Sequence, residues 1–165
     1  MNEAQLKIID NFTDSLGELD NLLIGMPQEG LEWSEKEGEW TVREVLHHLA
    51  EDCNVYAFII ERALATPDCK VFFGDFPGNQ PWGERLAWHE RPVDASTALM
   101  RAHRVFLAEL VVHFPDRWGN KADFYDNAGE KLAESTVEEM IVMLTNHMKE
   151  QVNMIEKILK ANQQA

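Results

Sequence analysis

Two pairs of polar side chains stand at one-turn spacing within otherwise apolar segments. His48 and Asp52 form one pair, and His147 and Gln151 form the other. Residues four positions apart lie on the same face of an α-helix, about one turn from each other. Imidazole nitrogens bind zinc, nickel and ferrous iron, and three protein ligands with an open position are typical of a catalytic metal. If the two helices face each other, His48, His147 and Gln151 predict a divalent-metal site.

The same spacing supports a second interpretation, in which the polar residues belong to the core. Each histidine is then an amphipathic core residue that is hydrogen-bonded to a neighbour, and no metal is bound. His47 follows a different direction on the helix, about 100° from His48, so it is predicted to point outward into solvent. Arg85, Arg91 and Arg104 suit either anchors for an acidic substrate or surface ion pairs.

Apolar periodicity predicts four long helices that position these residues. Thr41 with Glu44 and Ser135 with Glu138 resemble capping boxes at the starts of the second and fourth helices, and Asp94 is predicted to cap the third. The predicted bounds are 3–24, 41–65, 94–113 and 135–160. The third helix is predicted to turn the following residues inward: Ala98, Leu99, Ala102, Val105, Phe106, Leu110 and Val111.

Two long connections, 66–93 and 114–134, separate the later helices. Neither has a convincing strand pattern, although PWGERLAW is compatible with a short helix. Both are rich in aromatic residues, which either line a pocket at the mouth of the bundle or pack onto it. The expected fold is a single all-α domain over 1–165, a four-helix bundle with long crossover loops, and 66–93 is a candidate lid.

Composition narrows the possible partners. The chain has 29 acidic and 15 basic residues and a formal net charge of -14, which disfavours binding to nucleic acid or to an anionic membrane. No stretch resembles a membrane span or a signal peptide, so a cytoplasmic location is expected. In a reducing compartment Cys53 and Cys69 are expected to stay unpaired, and Cys53 is predicted to be a packing residue.

Three stretches resemble the DinB-like (DinB/YfiT) superfamily, and together they cover nearly the whole chain. The family's second-helix signature is matched by EWTVREVLHHLAED, in which Trp40 and His48 take the places of its tryptophan and its histidine. The middle loop and third helix are resembled by WGERLAWHERPVDASTALMRAHRVFLAEL, and the last helix by TVEEMIVMLTNHMKEQVNMIEKIL.

The resemblance implies an antiparallel bundle, often dimeric, in which three histidines hold a divalent metal near one mouth. Characterised members include thiol-dependent transferases and isomerases. His48 matches the first ligand and His147 the second, whereas Gln151 stands where the third histidine is expected. Asp52 is the best substitute ligand, or it orients His48 from behind, since Glu150 points about 100° away from Gln151.

Two functions are therefore carried forward. The first is a divalent-metal-dependent enzyme, a thiol-dependent transferase or a hydrolase, that uses zinc or nickel at an incomplete three-histidine site and acts on a small molecule. The second is a non-catalytic small-molecule-binding or homodimeric protein that has lost the metal. Neither interpretation names a substrate or a catalytic residue.

Overall fold

The structure is a computed structural model, and it describes residues 1–162 of the chain. It contains four long helices and one short helix, joined by short 3-10 turns and by three strands. The helices are α1 (Glu3–Leu23), α2 (Val42–Ala65), α3 (Asn79–Arg85), α4 (Asp94–His113) and α5 (Val137–Asn162). The strands are β1 (Cys69–Phe72), β2 (Lys121–Tyr125) and β3 (Lys131–Thr136). The four predicted long helices are confirmed to within two residues at each end, and α3 overlaps the predicted short helix.

A three-stranded sheet occupies parts of both long connections, so the chain is a mostly helical bundle with a small sheet rather than all-α. β1 pairs with β2 in parallel, from Cys69 with Ala122 to Phe72 with Tyr125, and β2 pairs with β3 antiparallel. The strands are only four to six residues long, and β3 carries mostly exposed side chains. Such short runs lack the repeated alternation by which a strand is recognised in a sequence.

The sheet shows in which direction each helix runs. α2 and α4 both end near it, because they lead into β1 and β2. α5 begins near the sheet, since it follows β3. α1 begins there too, because Nε2 of Gln5 donates to the carbonyl of Pro115, which lies between α4 and β2. α2 and α4 therefore run in the same direction, so the implied antiparallel arrangement holds only for some helix pairs. Residues 66–93, the crossover segment, must return along the bundle from the end of α2 to the start of α4.

α4 buries mostly a different face from the predicted one. Of the predicted residues Val111 is fully buried, whereas Leu99, Val105 and Phe106 are exposed, and Met100 and Leu107 are fully buried instead. Arg104 lies on the buried face and donates to the carbonyls of Phe12 and Leu144, so it is neither a substrate anchor nor a surface ion pair. The helix is apolar on more than one side, and its buried face includes a cation, which is the reason periodicity selected the wrong face.

Helix starts were predicted with mixed success. The capping box of Thr41 and Glu44 is confirmed at the start of α2. At α5 the box uses Thr136 and Glu139 instead, one residue later than predicted, and Thr136 is also the last paired residue of β3. Asp94 is the first residue of α4 and makes no capping hydrogen bond, so that prediction is wrong too.

The apolar interior forms two clusters. The sheet-end core joins the second half of α2 to the sheet and to the start of α5, and includes Ile60 and Ile141. The far-end core joins the first half of α2 to the rest of α5, and includes Leu46, Cys53 and Met148. Cys53 and Cys69 are buried free thiols, so the predicted packing role of Cys53 is confirmed. No helix within residues 1–162 is long and apolar enough to span a membrane.

Candidate metal centre

Two helices bring His48 and His147 together between the two cores. The capping box at Thr41 fixes the start of α2, and His48 lies two turns later, with an exposed fraction of only 4%. His147 projects from the middle of α5, and its Nε2 atom lies 3.1 Å from Nε2 of His48. Gln151 lies one turn further along α5, with its Nε2 atom 3.2 Å from Nε2 of His147. The predicted convergence of His48, His147 and Gln151 is thus present in the structure.

Asp52 faces both histidines from α2. Its Oδ2 atom lies 3.3 Å from Nδ1 of His147 and 3.7 Å from Nε2 of His48. One potential ligand atom from each of these three residues lies within 4.8 Å of the other two. At a metal–nitrogen distance of about 2.1 Å, tetrahedral ligands stand about 3.4 Å apart. The two separations of 3.1 and 3.7 Å that involve Nε2 of His48 bracket that value, so the geometry fits a small divalent cation.

Protonation also favours metal binding. Burial lowers the pKa of His48 to about 4, and the neighbouring His147 acts in the same direction. Burial lowers the pKa of His147 as well; the charge of Glu150 opposes this shift and that of Arg104 adds to it. Both imidazoles are therefore neutral at physiological pH, which is the form that binds a metal. Burial, assisted by the charge of Glu51, raises the pKa of Asp52 to about 6, so this carboxyl is mostly ionised at pH 7.

Gln151 leaves one polar atom without a partner. Its exposed fraction is 8%, and its Oε1 atom has no hydrogen-bond partner among the described residues. A buried acceptor without a partner lowers the stability of the fold, because the hydrogen bonds to water that it loses on burial are not replaced. The atom of Gln151 that faces His147 is the amide nitrogen, so its oxygen would join the donor set of the two imidazoles and the carboxylate only after the amide turns by 180°.

A cleft with a volume of about 650 Å³ opens on the centre from the side of Asp52 and His147. It lies between α2 and α5, and three carboxylates of α5 stand at its edge: Glu138, Glu139 and Glu150. Tyr56 also lines it, and burial together with the charge of Asp52 raises the pKa of its phenol. Glu150 is exposed in this cleft, in agreement with the prediction that it points away from the ligand cluster.

His48 is enclosed by aromatic rings on another side. The ring of Trp40 lies 4.9 Å from that of His48, and the ring of Trp88 lies 5.9 Å from it. Trp40 and Trp88 also contact each other, with ring centres 5.7 Å apart, and we call this pair the aromatic wall. Sequence reasoning placed Trp88 in a loop and found no signal for its contact with His48.

His47 does not point into solvent, so its predicted surface position is wrong. It is fully buried, with Nδ1 2.8 Å from Oγ of Ser96 and Nε2 3.2 Å from the carbonyl oxygen of Arg91. The crossover segment and the start of α4 cover this side of α2, and burial lowers the pKa of His47. A residue that points away from one neighbouring helix can therefore be buried against another segment.

The fold and this cluster define the chain as a helical bundle with a candidate metal centre. The family model of the DinB superfamily matches residues 11–154, and the chain belongs to that superfamily. Among solved structures, the chain resembles YfiT from Bacillus subtilis, which is described as a probable metal-dependent hydrolase with an unusual four-helix bundle topology. The two chains are 20% identical with a TM-score of 0.75, over 99% of this chain and 89% of YfiT, which supports the shared fold. No curated protein matches the sequence.

Proposed function

We propose that this protein is a divalent-metal-dependent enzyme that acts on a small molecule, as a hydrolase or a thiol-dependent transferase. The observation that carries the proposal is the group of His48, Asp52 and His147, whose potential ligand atoms lie within 4.8 Å of one another beside an open cleft. The resemblance to a fold neighbour described as a probable metal-dependent hydrolase supports the proposal.

Asp52 takes the place of the missing imidazole in this proposal. Its carboxylate is a stronger ligand for a divalent cation than the neutral amide of Gln151, and its Oδ2 atom lies 3.7 Å from Nε2 of His48. Two nitrogens and one carboxylate oxygen resemble the ligand sets of catalytic zinc and of non-haem ferrous iron, and zinc or nickel is the proposed cofactor.

The side chains around the centre divide the remaining tasks. A bound divalent cation would act as a Lewis acid and lower the pKa of a water or thiol nucleophile. The cleft admits the substrate beside His147, and the phenol of Tyr56 faces it as a hydrogen-bond donor. The aromatic wall keeps bulk water from His48. The buried surroundings of both histidines keep them neutral, so no proton has to be displaced from either imidazole before a metal binds.

Metal analysis of the purified protein tests this function. The protein should be prepared without an affinity tag or a chelator, and elemental analysis should find close to one divalent metal per chain. Micromolar zinc or nickel should raise the melting temperature of the metal-free protein, because a ligand that binds only the folded state stabilises it. Absence of bound metal, together with an unchanged melting temperature, would remove the basis of the proposal.

Alanine substitutions identify the third ligand. Asp52→Ala should weaken zinc binding strongly, whereas Gln151→Ala should change it little. The reverse result would assign the third position to Gln151 and would leave Asp52 as an acceptor for Nδ1–H of His147, an arrangement that its 3.3 Å distance also allows.

One observation favours the non-catalytic alternative. Nε2 of His147 has one lone pair and can accept from Nε2–H of His48 or from the amide N–H of Gln151, while Nδ1–H of His147 donates to Asp52. This network needs no metal, and it suits a small-molecule-binding or homodimeric protein. This alternative predicts that zinc changes neither stability nor ligand binding. Metal-dependent turnover by the unmodified protein would exclude it.

A further inference from the structure

α2 carries a second polar stripe beside the ligand stripe. Arg43, His47 and Glu51 follow one another at four-residue spacing, and all three contact the crossover segment. Nη1 of Arg43 donates to the carbonyl oxygen of Arg91 at 2.8 Å, and Nε2 of His47 lies 3.2 Å from the same oxygen. The stripe of α2 that carries His48 and Asp52 therefore faces the candidate metal centre. The neighbouring stripe, which carries Glu51, holds the crossover segment that covers this centre.

Glu51 makes the most specific contacts of this second stripe. Its Oε1 atom accepts a hydrogen bond from the indole Nε1–H of Trp88 at 3.0 Å, and its Oε2 atom accepts one from the indole of Trp82. Nη1 of Arg91 lies 3.8 Å from Oε1. A single carboxylate thus fixes two indole rings, and hydrogen bonds to a charged acceptor are stronger than those between neutral groups.

Trp88 has little freedom where it lies. Its exposed fraction is 2%, and it packs against both His48 and Trp40. A Cβ atom added at Gly83 would lie 2.4 Å from the Trp88 ring, so that position leaves room only for glycine. Trp88 therefore depends on close packing on one side and on the carboxylate of Glu51 at its indole nitrogen.

From these contacts we infer that Glu51 is a positioning residue, which holds Trp88 against His48 and thereby keeps that face of the imidazole dry. The inference rests on the proposed function in one respect: a dry and oriented His48 matters most if it binds a metal. Glu51 itself touches neither histidine through a hydrogen bond, and it acts through the ring of Trp88. Groups hydrogen-bonded directly to a metal-binding histidine typically change metal affinity by about 10- to 100-fold when they are lost, and Glu51 lies one contact further from the ligand.

The test compares the reactivity of individual histidines in metal-free protein. Diethylpyrocarbonate modifies accessible, neutral imidazoles, and mass spectrometry reads the rate at each position. In Glu51→Ala the rate at His48 should rise about tenfold, while the exposed His113 serves as an internal reference. Glu51→Gln keeps an amide oxygen that can accept from the Trp88 indole, so it should restore most of the protection. Glu61→Ala, an exposed carboxylate of the same helix, should leave the rate at His48 unchanged.

Zinc titration of the same variants connects the wall to the metal. Glu51→Ala should bind zinc about tenfold more weakly, at the low end of that range because Glu51 acts through Trp88. Trp88→Phe keeps a ring but loses the indole N–H, and adding it to Glu51→Ala should cause little further loss, because the two residues act as one unit. Fully additive losses, or an unchanged rate at His48 in Glu51→Ala, would overturn the inference. If His48 becomes reactive in Glu51→Ala but the unmodified protein binds no zinc, the proposed function fails and the role of Glu51 stands.

Discussion

The two halves of α2 differ in what they bury. Towards the sheet, the helix packs Ile59, Ile60 and Leu64 into an apolar core. Towards its start, the same helix buries His47 and His48 and places Asp52 beside His48. Burying an apolar side chain contributes roughly 1.5–3 kcal/mol, whereas a buried polar group contributes little net stability unless it is fully paired. Both halves bury apolar residues, such as Ile60 in the sheet-end core and Leu46 in the far-end core, but only the half near the start of α2 also buries polar groups among them.

The largest expected effect tests the apolar half. Ile60→Ala removes a fully buried side chain from the sheet-end core and should lower the free energy of unfolding by about 3 kcal/mol. Urea unfolding measures the loss. Zinc affinity of the folded variant should stay within about twofold of the unmodified protein, since distant sites usually behave independently. A large loss of zinc affinity would show that the two halves of α2 are energetically coupled, which would contradict their separate roles.

The second prediction tests the polar half. His147→Ala removes an imidazole that contacts His48, Asp52 and Gln151, and should weaken zinc binding by more than about 100-fold, or roughly 2.7 kcal/mol. A chromophoric competitor chelator gives the affinity. The metal-free variant should lose less unfolding free energy than Ile60→Ala. A greater loss would mean that the histidine serves the core more than the site.

Gln151→His tests the polar half further, because it adds a third imidazole beside His147. An imidazole is a better zinc ligand than an amide, so the affinity for zinc should rise about tenfold. The substitution also removes the buried, unpartnered Oε1 atom of Gln151. Competition with the same chelator measures the gain, and Asn153→His, on an exposed position of α5 outside the cleft, is the matched control. An affinity that falls instead would show that the amide itself is preferred at this position.

The smallest effect is expected at the sheet end of α5. Thr136→Ala removes the hydroxyl that accepts from the backbone N–H of Glu139, and should cost about 1 kcal/mol of stability. Ser135→Ala, one residue earlier and still within the strand pairing, should cost clearly less. Thermal unfolding of the metal-free variants compares them. Equal losses would contradict the assignment of Thr136 as the capping residue.

Sequence reasoning succeeded where the signal repeats many times within one helix. The long helices follow from more than twenty residues of regular spacing, and the meeting of His48 with His147 follows from two such helices facing each other. It failed where a distant segment decides the outcome. His47 is buried only because residues 91 and 96 cover it, and Glu51 gains its role from tryptophans more than thirty residues away in the chain. The strands escaped notice for the same reason, since β1 is completed by a partner that follows α4.

The parallel pairing of β1 with β2 also constrains the order of folding. Cys69 can meet Ala122 only after the chain between them has been closed into a loop that contains the crossover segment and all of α4. Contacts of such long sequence separation carry an entropic cost before they contribute stability, and they slow folding. The helices can form from local contacts, whereas the aromatic wall depends on a segment whose first part belongs to this sheet. We therefore expect the protection of His48 to be among the last properties that the refolding chain acquires.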